Sequence, residues 1–100
     1  MLHPYILITK SPTKDKKFRA ELPDGKTVDF GQKGYSDYTI HKDPARMRRY
    51  LFRHRLRENW GKSGMHKAGF WSRWLLWSKP CLDCAKKLIE KKFNVRIVVR

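Results

Sequence analysis

Cys81 and Cys84 stand three positions apart, a Cys-x-x-Cys spacing that can put two thiolates on one metal ion. Zinc as a rule takes four ligands, no second cysteine pair is present, and His54 and His66 could complete a set only if the fold brought them there. The pair also lies just after Pro80 at the start of an expected helix, where the positive end of the helix dipole lowers a thiol pKa, as in redox proteins. Ordinary helix residues are the first expectation for the two thiols, zinc ligation the second and redox chemistry the third. His54, Asn59 and His66 carry the residue types of a His-Asn-His nuclease, in which histidines activate water and bind a metal beside the scissile phosphate. Their spacing is too tight, paired carboxylates are missing, and His54 falls on an apolar helix stripe. No catalytic residue, no metal and no cofactor are therefore expected, and the protein is expected not to be an enzyme.

Arginine gives the stronger pattern. Arg46, Arg48, Arg49, Arg53, Arg55 and Arg57 crowd one segment with almost no acid to pair with. A guanidinium can grip a phosphate or carboxylate bidentately and stack on a ring, so this segment is expected to bind an anionic partner surface. A merely solvated basic face is the plainer alternative. No zinc-finger pattern, RNA-binding strand signature or clear helix-turn-helix accompanies the arginines, so contact with nucleic acid would track the backbone rather than the base sequence.

The charge is not confined to that segment. Twenty-four Lys and Arg stand against nine Asp and Glu, a net charge of +15 spread along 100 residues. A field of that size attracts polyanions: nucleic acid, anionic lipid or acidic protein. With 40% hydrophobic residues and four tryptophans there is still apolar area to order a small fold. One domain is expected over 1–100, with 1–17 an extended arm and 18–100 globular. No apolar run approaches the roughly 18 residues of a membrane span, no signal-peptide pattern is expected, and two close cysteines point to a reducing compartment.

Several elements would have to position these residues. Residues 4–9 are apolar and β-branched, then a lysine-rich break with Pro12 separates them from the next element. Tyr5, Ile6, Leu7, Ile8 and Thr9 are thus expected to form an arm that can add as a strand to a neighbouring subunit. Residues 18–22 and 27–30 alternate around Asp24-Gly25, a hairpin signal. Residues 31–43 suggest a loop with a short extended piece at Thr39 and Ile40. Asp43 and Pro44 start a helix to about Glu58 that buries Met47, Tyr50, Leu51 and His54. Residues 68–77 are apolar nearly all round, which suits a core segment better than a membrane-interface anchor. Pro80 opens a third helix to about Phe93, and 95–99 form a closing strand. The fold class is α+β: a small antiparallel hairpin or sheet packed on two or three helices.

The block 33–43, KGYSDYTIHKD, continued by Arg46, Arg49-Tyr50, Arg53-His54, Trp60, Lys62-Ser63-Gly64, residues 68–72, residues 74–77 and Lys79-Pro80, resembles a family of small proteins from large icosahedral double-stranded DNA viruses. The likeness covers about half of the chain and thins out over 1–17 and 81–100. It implies a virion component assembled in the host cytoplasm: a minor capsid protein beneath the shell, with the major capsid protein and other minor capsid proteins as partners. The viral genome or an anionic internal membrane lies within reach of such a position, and no small-molecule substrate is implied. A basic nucleic-acid-binding protein is the alternative.

Overall fold

Period-two alternation builds the sheet. Ile6 and Ile8 of β1 (Ile6–Lys10), Ala20 of β2 (Lys16–Glu21), Val28 and Phe30 of β3 (Thr27–Gln32) and Ile97 of β4 (Ile97–Val99) are all buried. In the computed structural model, which describes residues 5–100, these strands pair in the order β3-β2-β1-β4. β1 and β2, and β2 and β3, run antiparallel, while β1 and β4 run parallel. Asp24 and Gly25 turn the β2–β3 hairpin, with Gly25 at a φ of 87° that side chains rarely adopt.

The buried side chains of the sheet meet a helical layer. α3 (Ala68–Trp71) runs directly into a π-helical turn (Ser72–Leu76), and α4 (Leu82–Phe93) packs beside it. Phe70, Trp71, Leu75, Leu76, Ala85, Ile89 and Phe93 join the sheet residues in one core. The 68–77 segment is therefore core, as its all-round apolarity requires, though Trp74 and Trp77 remain half-buried. Two further helices, α1 (Tyr38–His41) and α2 (Pro44–His54), lie between the hairpin and this layer in sequence, making the fold α+β with a mixed sheet.

Four expectations need correction. First, the N-terminal segment is not a free arm. β1 is hydrogen-bonded on both sides, Ile6 and Ile8 are 1% and 0% exposed, and its lysine-rich sequel is the turn into β2. Tyr5, Ile6, Leu7, Ile8 and Thr9 thus offer no open edge for strand addition; among the described strands the open edges belong to β3 and β4. Residues 1–4 of the expected arm lie outside the described residues. Second, Thr39 and Ile40 are helical, because Asp37 caps α1 by accepting from the Thr39 backbone N–H. Third, α2 stops at His54, four residues early. Fourth, Cys81 and Cys84 are neither free nor arranged for zinc: a disulfide joins them, so the inference from their spacing to a reducing compartment loses its premise. Cys81 caps α4 from an extended conformation, and its sulfur accepts the Cys84 N–H at 3.0 Å.

On the hairpin, Arg19 and Asp29 are cross-strand partners and form a bidentate pair at 2.9 and 3.0 Å. Ser11 and Thr13 donate to the same carboxylate, tying the first turn to β3. The Arg19 hydrogen bonds are the largest effect holding the Asp29 pKa down to about 2, with Ser11 and Thr13 assisting and partial burial opposing. A carboxyl whose folded pKa lies below its unfolded value stabilises the fold fully above the unfolded value and loses that contribution as pH falls through the folded one. Melting temperature should therefore drop between about pH 4 and about pH 2, and Asp29→Asn should flatten that part of the profile. An unchanged acid limb in the variant would show that other carboxylates dominate it.

Candidate functional site

Helix α2 starts where Asp43 accepts the Ala45 N–H at 2.9 Å and Pro44 fills the first turn, where a missing donor costs nothing. Its inner stripe falls as the helical period requires: Tyr50 is buried and Met47, Leu51 and His54 are half-buried. Tyr50 seats the helix, stacking on Trp77 at 4.2 Å with the rings 3° from parallel and on His54 at 4.3 Å. His41 extends this ladder to Trp77 at 5.3 Å. Burial pushes the Tyr50 hydroxyl up to about 12, with Glu58 adding to the effect, so the phenol stays neutral. Burial and then Arg46 push His41 the opposite way, below the usual histidine range, and its Nδ1 accepts the Asp43 N–H.

Everything on the outer side of α2 is cationic or apolar. Arg46, Arg48, Arg49, Arg53, Arg55 and Arg57 are all exposed, and among the described residues none of them forms an ion pair. Phe52 is 67% exposed between them, with the Arg55 guanidinium 4.5 Å from its ring centre, and Leu56 is 89% exposed. A shallow groove runs over Ala45, Arg48, Arg49, Phe52 and Arg53. Such a surface offers bidentate donors to phosphate or carboxylate oxygens and a small apolar area for sugar, base or methylene contact.

Arg53 belongs also to a cleft of about 410 Å³ on the inner side of α2. This cleft has no signature in the sequence, because its walls come from β2, β3, the 35–37 loop, α2, Glu58, α3 and the π-helical turn. Two glycines let the walls approach. Gly31, at a φ of 80°, passes so close to Leu76 that a Cβ would stand 2.9 Å from its Cδ1, and a Cβ on Gly69 would collide with the Glu58 carboxylate. Lys17 in this wall is already committed to Asp37 at 2.7 Å, and Asp37 is 2% exposed. Glu58 lies 3.5 Å from the Nδ1 of His54, a charge-pair distance without hydrogen-bond geometry.

The remaining chemical residues do not assemble. His66 pairs with Asp24 at 3.2 Å and Asn59 bonds Ser63, so the His54, Asn59 and His66 set is dispersed among separate partners. Among the described residues no group of three or more His, Cys, Asp or Glu side chains could hold a metal ion. Arg73, missed in the sequence, sits in the π-helical turn with its guanidinium 4.0 Å from the Trp74 ring and 5.2 Å from that of Trp60. Burial pushes its pKa down, and its Nε and Nη1 are buried without partners, so the two indole faces are the local compensation for its charge. No described helix is long and apolar enough to cross a membrane.

The model of a family of unknown function (DUF5754) matches residues 6–54, from the first residue of β1 to the last of α2. That span includes the hairpin and the first four arginines of the exposed face; the tryptophan segment and α4 lie beyond it. No curated protein matches the chain. No solved structure matches it either.

Proposed function

We propose that this protein is a non-enzymatic binding protein that holds the phosphate backbone of nucleic acid on the arginine face of α2, without strong sequence preference. One observation carries the proposal: six exposed arginines on and just after one short helix, none paired with an acid among the described residues, in a chain of net charge +15. Natural surfaces usually intersperse opposite charges; leaving this many guanidiniums side by side raises self-repulsion, which an anionic partner relieves. Phosphate oxygens suit the guanidinium fork, and each neutralised phosphate releases condensed counterions. The binding constant for a duplex of random sequence should fall with salt at a slope of about −3.6 to −5.4 on logarithmic axes, the value for about four to six phosphate contacts. Salt-independent binding, or none at low salt, would refute the proposal.

A second reading has its own support. The block 33–80 resembles proteins of large icosahedral DNA viruses, which favours a minor capsid protein whose arginine face meets an acidic subunit of the shell. Its strand-mediated half is dropped, since β1 is interior, and its electrostatic half uses the same arginines. Disrupting virus particles with mild detergent and nuclease at moderate salt separates the two. Release with the digested genome supports backbone binding, and retention on the shell supports the capsid role.

A further inference from the structure

The cleft behind α2 differs from the arginine face in what it can hold. Its cations are Lys16, Lys17 and Arg53; of its two carboxylates, Asp37 neutralises Lys17 and Glu58 lies against His54 at 3.5 Å. Lys16 and Arg53 have no carboxylate partner among the described residues and remain to meet an anion. Around them stand short hydrogen-bonding side chains, Gln32, Ser36 and Ser72. Tyr35 lines the same cleft with 70% of its surface exposed, so its ring is not held there by packing. Two unpaired cations, an open aromatic ring and small polar groups around about 410 Å³ match the parts of one nucleotide: phosphate, base and sugar. Arg53 lies on both the cleft and the outer groove, so a chain bound along α2 can continue into the cleft past its guanidinium.

We infer that the cleft takes one unstacked nucleotide of a single-stranded nucleic acid, its phosphate between Lys16 and Arg53 and its base against Tyr35. The inference rests on the backbone-binding function and adds the class of strand. A base in a duplex is stacked and paired on both sides and cannot enter, so duplex gains only the outer arginines, whereas a single strand gains the cleft as well. Free nucleoside monophosphate carries the same chemistry, but lacks the neighbouring phosphates that α2 would hold.

The test is fluorescence anisotropy with a labelled single strand of about 12 nucleotides and a duplex of equal length at about 0.1 M salt. The single strand should bind about tenfold more tightly than the duplex. Tyr35→Ala should remove about that tenfold from the single strand while leaving duplex affinity and the melting temperature unchanged, since the ring is exposed. Lys16→Ala should weaken the single strand more than the duplex. Free monophosphate should compete only at far higher concentration than the strand, and polyglutamate of matched charge should compete poorly. Equal affinity for both strands with no effect of Tyr35→Ala overturns the cleft and leaves backbone binding standing. Equal competition by polyglutamate also overturns it, in favour of an acidic protein segment. Failure of both nucleic acids to bind removes backbone binding and the cleft together.

Discussion

Arg49→Glu combined with Arg53→Glu should weaken binding to duplex about 100-fold or more at about 0.1 M salt while leaving the melting temperature within a few degrees of the parent. Each guanidinium removed costs one phosphate contact, and each carboxylate introduced adds a repulsion, together about 1–2 kcal/mol per position at a solvated surface. The salt slope should shrink by about two units, one for each lost contact. Stability should hold because both side chains are exposed and without an acidic partner among the described residues. Glutamate and arginine also have nearly equal helix propensity. The new carboxylates would stand about one turn from Arg46 and Arg57, relieving like-charge repulsion on the face. Near the C-terminal end of α2 a negative charge meets the helix dipole unfavourably, which offsets part of that relief. If the folded variant still bound with full affinity and an unchanged slope, the outer face of α2 could not be the contact. In the capsid setting the same variant should fail to enter particles.

That face was legible in the sequence because both things that define it are local. Helical spacing puts Tyr50 and its neighbours inward, and Asp43 with Pro44 marks the start, so Arg46, Arg48 and Arg49 fall on the outer side. The Asp24-Gly25 hairpin and the tryptophan core were legible for the same reason: turn chemistry and all-round apolarity need no distant partner. What failed depended on distant residues. The lysine-rich stretch after β1 looks like a linker, yet Ser11 and Thr13 bond Asp29 on β3, which makes it a turn and β1 an interior strand. α1 is one helical turn capped by Asp37, whose buried charge is met by Lys17 from β2, twenty residues earlier. Cys-x-x-Cys spacing is compatible with a bond, a metal or free thiols, and the disulfide forms where the backbone at Cys81 is extended ahead of α4. The cleft gathers side chains from across residues 16–77, so no single stretch of sequence announces it.

Trp71→Ala is expected to cost about 4–6 kcal/mol, a large share of the roughly 5–15 kcal/mol that holds a domain of this size. Trp71 is fully buried where α3 packs on the sheet, 6.0 Å from the Phe30 ring of β3 and edge-on to Phe70 at 5.1 Å. Truncating a buried tryptophan costs about 3–5 kcal/mol through lost burial and the cavity left behind. Its indole N–H also donates to the Met65 carbonyl at 2.8 Å, and stranding that buried acceptor adds about 1 kcal/mol or more. In urea denaturation the midpoint should fall by about 2 M or more, and the melting temperature by about 20 °C or more. Phe52→Ala, on the exposed side of α2, should stay within about 0.5 kcal/mol. A loss below about 1 kcal/mol at Trp71 would mean that the 68–76 segment does not form the core. The aromatic ladder carries this effect to binding. Trp77, at the end of the same segment, is the surface on which Tyr50 seats α2, so loosening the core releases the arginine helix from its support. Trp71→Ala should therefore lower stability and binding together, whereas the charge reversals should lower binding alone. If those reversals lowered stability too, the arginines would have to be counted among the contacts that hold the fold.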